Sequence, residues 1–251
     1  MNKTALLLFF CVMALKACHQ KQQDKLNIAV AANMQFAMKE LTPSFTDQTG
    51  IKCDLIISSS GQLTAQIKAG APYDVFVSAD MKYPDELFAS GYATNKPAVY
   101  AYGKLVMWSM INGMKPSIDL LKNPEIIHIA LANPKTAPYG TATIEVLKHY
   151  GIYENLKDKL VYGESISQTN QFIISKSAEI GFTAKSVVLS PEMKDKGSWI
   201  DIDEADYSPI AQGVVVVKHN NVEQANAEKF YNFLFSDKAK DIFTKFGYSV
   251  K

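Results

Sequence analysis

The chain has 251 residues, 47% of them hydrophobic and 20% charged, a balance that suits one or two folded cores and excludes a disordered chain. Lysine plus arginine total 26 against 25 acidic residues. The resulting net charge of +1 offers no electrostatic footprint for nucleic acid or an anionic lipid surface, so an anion bound here must be held by local dipoles.

Lys3 precedes an apolar run over residues 5–15 that is too short to cross a ~30 Å hydrocarbon core as a helix, and residues 1–17 read as a secretory signal. Leu15-Lys16-Ala17-Cys18 follows, similar to a bacterial lipobox except for Lys16. It predicts acylation of Cys18, with residues 18–25 as a polar tether; an ordinary signal cleaved near Ala17 is the alternative. Cys11 falls in the removed run and Cys53 alone remains in the mature core, which excludes a disulfide or zinc framework.

From residue 26 onward, β-branched runs alternate with segments of helical period, the pattern of an α/β protein whose parallel strands are joined by crossover helices. Residues 26–32 read as a strand, and Met34, Ala37, Met38, Leu41 and Phe45 line one face of a helix that Pro43 should kink or restart and Gly50 should end. Alternating Ile51, Cys53, Leu55 and Ile57 predict a second strand, with a helix over 62–69. Further strands are expected at 74–79, 104–110, 126–131 and 213–218, a helix from near Tyr139, an amphipathic stretch over 169–175, and two closing helices at 224–235 and 237–246. The predicted division is one lobe of 26–101 plus 214–251 and a second of 102–213.

In open α/β sheets, ligands bind beyond the carboxyl ends of the strands, where helix N-termini present unpaired N–H groups and about half a positive charge. Four strand-to-helix turns carry suitable residues: Asn33 after the first strand, Ser58-Ser59-Ser60-Gly61, Asn133-Pro134-Lys135-Thr136-Ala137-Pro138-Tyr139-Gly140, and Gly163-Glu164-Ser165-Ile166-Ser167-Gln168. Taken singly, Asn33 reads as an N-cap or as an amide donor to a ligand oxygen, the serine turn equally as a site or a cap, Tyr139 first as a packing residue, and the fourth turn as a weak signal.

Together, the motifs AAN, SSSGQL, QIKAGAPYDVFVSAD, NPKTAPYG and GESISQ resemble the molybdate-binding proteins of bacterial ABC transporters across nearly the whole mature chain, most specifically over residues 66–80. The resemblance implies a periplasmic-binding-protein fold of type II: two α/β lobes, each a mostly parallel sheet flanked by helices, joined by hinge strands. It implies that Asn33, Ser60, Tyr139 and the Ile166 backbone N–H hold a molybdate or tungstate oxyanion, with Ser59 and Ser167 in support. No cofactor and no bare metal cation are required. The implied partners are an ABC permease and, through Cys18 only, the membrane; the implied location is the periplasm or cell surface, and the implied state a monomer that binds no nucleic acid. Some relatives supply a tyrosine hydroxyl at the position of Ala184, which alanine cannot replace, and Glu164 is expected to face away from an anion.

An enzyme is the rival class. His19, His128, His149 and His219 show no metal-ligand spacing, and the chain lacks G-x-S-x-G, S-x-x-K, Walker and G-x-G-x-x-G motifs. A protein of the same fold that binds sulfate, a phosphonate or an organic acid is the nearer alternative.

Overall fold

The structure, a computed structural model, describes residues 25–218 and 224–250. The expected signal, the lipobox with Cys18, the tether up to residue 24, His19 and His219 lie outside the described residues.

Among the described residues, ten strands form two five-stranded sheets. The first contains β1 (Lys25–Ala31), β2 (Lys52–Ser58), β3 (Val75–Val77), β4 (Ala98–Gly103) and β10 (Ile210–Val216), in the order β2-β1-β3-β10-β4. The second contains β5 (Leu105–Ser109), β6 (Ile129–Ala132), β7 (Leu160–Gly163), β8 (Ile180–Ala184) and β9 (Ser198–Asp201), in the order β7-β6-β8-β5-β9. The flanking helices are α1 (Gln35–Thr49), α2 (Ser60–Lys68), α3 (Lys82–Ala89), α4 (Pro138–His149), α5 (Tyr153–Leu156), α6 (Ile166–Ile174), α7 (Lys185–Val188), α8 (Gln224–Phe233) and α9 (Asp237–Lys245).

The expected two-lobed α/β architecture is present, and each sheet is mostly parallel, with one antiparallel strand making it mixed rather than purely parallel. β1 runs parallel to β2 and β3, and β6 runs parallel to β7 and β8; β10 is antiparallel to β3 and β4, and β5 to β8 and β9. The two crossings between sheets explain the reversal. Strands of the βα units point their carboxyl ends at the facing lobe, whereas β5 and β10 enter from that lobe and so run the other way. By sheet membership, Tyr102 and Gly103 belong to the first sheet, and the chain rejoins it at Ile210.

Sequence patterning accounts for the packing. Ile28 and Val30 of β1 face Met34, Met38, Leu41 and Phe45 on one side, while Ala29 faces Leu63, Ile67, Phe76 and Leu87 on the other. A strand covered on both faces reads as a continuous apolar run, as LNIAVAA does. The closing helices return to this lobe, where Phe230 meets Phe45 edge to face at 5.1 Å between ring centroids. The second core gathers Leu105, Met107, Trp108, Leu131, Val146, Ile173 and Phe182, and it also takes in Ala31, Ala32 and Ala79 from the first lobe, so apolar packing is continuous between the lobes.

Local expectations fail in informative places. Pro43 does not restart α1, which runs unbroken over Gln35–Thr49 with the proline on its exposed face, where the carbonyl left without a donor can face solvent. Gly50 does end the helix, left-handed at φ 72°, with its N–H on the Thr46 carbonyl. β6 starts at Ile129, three residues later than the apolar run, and β10 starts at Ile210, three residues earlier. Among the described residues no helix is long and apolar enough to cross a membrane.

Candidate functional site

The site follows from which amides the helix starts leave over. A helix cannot satisfy its own first-turn N–H groups, and each must find a cap, water or a ligand. At α2, Gln62 N–H goes to the Ser59 hydroxyl at 3.4 Å, Leu63 N–H to the Ser59 carbonyl, and Gly61 N–H across the cleft to the Thr136 carbonyl at 2.9 Å. That leaves the Ser60 N–H without an acceptor among the described residues. The Ser60 hydroxyl accepts from Ala79 N–H at 3.0 Å, which spends a lone pair and leaves its single proton to donate.

At α4, Pro138 has no N–H, and both Gly140 and Thr141 donate to the Ala137 carbonyl, so the Tyr139 N–H is left. At α6, the Ser165 side chain caps Gln168 N–H at 3.3 Å and its carbonyl takes Thr169 N–H, which leaves the N–H groups of Ile166, in the cleft lining, and of Ser167, outside it. The turn after β1 is a short 3-10 helix over Ala32–Met34, closed by the Gln35 N–H on the Ala32 carbonyl, and its second residue, Asn33, has no acceptor for its N–H among the described residues.

These four residues converge. Asn33, Ser60, Tyr139 and Ile166 line one cleft of about 190 Å³, together with Ala31, Ala32, Ser59, Ala79, Ala137 and Pro138. Asn33 and Ser60 come from the first lobe, Tyr139 and Ile166 from the second, and all are at most 3% exposed. The lining carries no Asp, Glu, Lys or His. A larger hollow of about 420 Å³ beside β4, lined by Val99, Tyr100, Ala101, Tyr102, Phe235 and Lys240, gathers no helix starts and is not the better candidate.

Two sequence expectations are corrected. Asn33 does not cap a helix or aim its amide at the cleft: its Nδ2 donates to Gln212 Oε1 at 2.8 Å and to the Tyr248 hydroxyl at 3.0 Å, so both side-chain protons are committed elsewhere. Ser167 does not line the cleft; its hydroxyl reaches back to Gln35 Oε1 at 3.4 Å, and the capping role belongs to Ser165. Ser59 does line the cleft, while also serving as the α2 cap.

Tyr139 has two faces. Its N–H is at the helix start, while its hydroxyl runs down to the hinge, beside Gly103, where a Cβ would stand only 2.1 Å away. That hydroxyl is the one buried side-chain polar atom among the described residues with no hydrogen-bond partner. Burial, reinforced by Tyr248, Tyr207 and Tyr100 nearby, holds its pKa well above the usual phenol value, so it remains a protonated donor. Ala184 is fully buried at the end of β8, opposite Leu105, and offers no hydroxyl. Glu164 is exposed and accepts from Asn133 Nδ2 at 3.4 Å, outside the lining.

The lobes also touch around the cleft. Tyr83 donates to the Lys135 carbonyl at 3.0 Å beside the Gly61 contact, and Lys39 pairs with Glu192 at 2.9 Å elsewhere. Sequence reasoning missed Gln212, Ser186 and Tyr248, which lie behind Asn33. Only the run GVVVVK marked that region, and Gln212 stands just outside it.

The description "Bacterial extracellular solute-binding protein" belongs to a family model that matches residues 26–249. The chain is 39% identical over 221 residues to the molybdate-binding protein ModA of Rhodobacter capsulatus, covering 88% of this chain and 86% of that one. The solved periplasmic molybdate-binding protein of Azotobacter vinelandii superposes with a TM-score of 0.85 at 35% identity, covering 90% of this chain and 99% of that one. The sulfate-binding protein SubI of Mycobacterium tuberculosis has a TM-score of 0.74 at 13% identity, covering 90% and 86%, a likeness of fold alone. The family model spans nearly the whole described chain and the Rhodobacter relative most of it, and the chain belongs to the bacterial extracellular solute-binding protein family.

Proposed function

We propose that this chain captures molybdate or tungstate in the interlobe cleft and delivers it to an ABC permease, without chemical turnover. The observation that carries the reading is that four residues whose N–H groups find no acceptor among the described residues, two from each lobe, line one cleft with no charged side chain. Moving an unpaired charge into such a place costs tens of kcal/mol by idealised Born estimates, so nearly every ligand oxygen must find a donor. The amides of Asn33, Ser60, Tyr139 and Ile166 and the Ser60 hydroxyl supply five. Charge-assisted bonds contribute roughly 1.5–3 kcal/mol net each, about 8–15 kcal/mol together, with helix-dipole fields in addition.

The composition of the lining also selects among anions. With no carboxylate present, a protonated oxyanion such as hydrogen phosphate finds no charged acceptor for its O–H, which favours fully deprotonated dianions. The names of the Rhodobacter and Azotobacter relatives support molybdate among these. Molybdate and tungstate are close in size, and a fixed set of donors treats them alike; sulfate is smaller and leaves bonds long.

The reading includes capture as a monomer outside the cytoplasm, at the periplasm or cell surface, with the membrane reached only through a lipid on Cys18. The Leu15-Lys16-Ala17-Cys18 motif supports that anchor. Calorimetric titration with molybdate, tungstate, sulfate and phosphate tests the ligand. Similar dissociation constants for the first two and much weaker binding of the others are expected; no heat with molybdate or tungstate would refute the proposal.

A further inference from the structure

Behind the cleft, Asn33 is gripped on two sides by groups that never reach the lining. Its side-chain Nδ2 is held by Gln212 and Tyr248, as described above, and its backbone carbonyl accepts from the Ser186 hydroxyl at 2.7 Å and the Tyr248 hydroxyl at 2.9 Å. The two hydroxyls lie 3.1 Å apart, and Gln212 Nε2 continues the network to the carbonyls of Ala79, at 3.1 Å, and Ile210, at 2.9 Å. Asn33, Ser186, Gln212 and Tyr248 are all buried, at most 4% exposed. Two origins matter here. Tyr248 comes from the extreme C-terminal segment, whose Ser249 pairs with Tyr102 of β4, and Ser186 comes from α7 of the second lobe.

We infer that Tyr248 and Ser186 are positioning residues for the oxyanion site: together they pin Asn33 through its carbonyl and side chain, so that its N–H is held toward the cleft when the lobes are closed. The inference rests on the oxyanion reading above. Helix starts elsewhere in the cleft are stiffened by their own helices, α2, α4 and α6, whereas Asn33 sits in a three-residue 3-10 turn with no side-chain cap. An orientation that local structure leaves loose is instead set from behind, by four hydrogen bonds to one residue. Because Ser186 belongs to the facing lobe, its bond to the Asn33 carbonyl also ties the aim of the amide to the relative placement of the lobes. The phenol of Tyr248 stays protonated, burial holding its pKa far above neutral, so it both accepts from Nδ2 and donates onward.

The test uses full-length protein titrated with molybdate, comparing wild type, Tyr248→Phe, Ser186→Ala, the double variant, Ser186→Thr and Tyr100→Phe. Tyr100 is a buried tyrosine of the same lobe whose hydroxyl donates instead to the Ser78 carbonyl at 3.4 Å, and it controls for simple loss of a buried hydroxyl. Tyr248→Phe and Ser186→Ala should each weaken molybdate about tenfold, the scale of one hydrogen bond, at an unliganded thermal midpoint matching Tyr100→Phe. The double variant should lose far less than the hundredfold expected of independent sites, and Ser186→Thr should recover most of the affinity. Wild-type affinity in Tyr248→Phe or Ser186→Ala, or an equal loss in Tyr100→Phe, overturns the inference. Failure of wild type itself to bind either oxyanion would instead reject the functional reading.

Discussion

Gly61 offers a way to separate closure of the lobes from folding of the lobes. It lies in the first turn of α2, its φ is outside the left-handed region, and a methyl group there would stand 2.8 Å from the Tyr83 hydroxyl, 3.0 Å from Thr136 Cα and 3.1 Å from the Thr136 carbonyl oxygen. Thr136 belongs to the facing lobe. Within α2 alone, alanine is the better residue by about 0.5–1 kcal/mol. Gly61→Ala should therefore leave the lobes at least as stable, while overpacking of about 1–3 kcal/mol falls on the closed arrangement. A ligand that binds the closed form loses affinity by the same free energy, roughly one to two orders of magnitude. Titration with molybdate reads the loss, and a thermal midpoint without ligand reads the fold. Tyr83→Phe in the Gly61→Ala background removes the nearest contact and should recover part of the affinity. Unchanged affinity in Gly61→Ala, or a fall in the unliganded midpoint large enough to explain the loss, would refute the reasoning.

Ser60→Ala removes one donor to a charged oxygen and should weaken molybdate by roughly 1.5–3 kcal/mol, one to two decades by calorimetry; equal affinity takes Ser60 out of the site. The Cys53 thiol is pushed up to about 12 by burial and by the neighbouring Asp54 charge. At pH 8 its alkylation, followed on the Cys53 peptide by mass spectrometry, should run roughly a thousandfold slower in folded than in urea-unfolded protein, and comparable rates would contradict the burial argument. Burial also raises the Asp80 carboxyl pKa, so the folded state holds its proton more tightly and this stabilising contribution is lost as pH rises from the ordinary carboxylate range through the raised value. Asp80→Asn should thus be no less stable than wild type at pH 7, with the difference vanishing near pH 4 in paired denaturant titrations; a deficit at pH 7 would show that the charge itself is needed.

The parts of this molecule legible in its sequence are those where one interaction dominates. The apolar runs of β1 and β10 announce strands covered on both faces, and Gly50 announces a left-handed helix end. The serine turn and Pro-Tyr-Gly turn mark helix starts because Ser, Pro and Gly have few competing uses there. Asn33 misled because the same side chain serves as a cap or as a buried hydrogen-bonding hub, and the partners that decide, Gln212 and Tyr248, lie 179 and 215 residues away. Ser165 and Ser167 are likewise indistinguishable by type; only the start of α6 at Ile166 makes the former the cap. The antiparallel strands escaped notice for a related reason: strand direction depends on which lobe the chain enters from, and a period-2 pattern carries no direction.

The arrangement of donors links affinity to closure. In the proposed site, Asn33 and Ser60 sit on one lobe and Tyr139 and Ile166 on the other, so either lobe alone would leave part of a tetrahedral ion to water. Since water is a strong competitor for a dianion, a half-site gains little over bulk solvent, and the full gain appears only when both sets of amides replace the hydration shell together. The lobe contacts at Gly61–Thr136 and Tyr83–Lys135, and the Ser186 bond to Asn33, are then part of the binding free energy although none touches the ion. A neutral lining serves the same end. A fixed lysine would attract the ion to one lobe in the open state and favour partial capture, whereas amides and hydroxyls reward only the enclosed geometry.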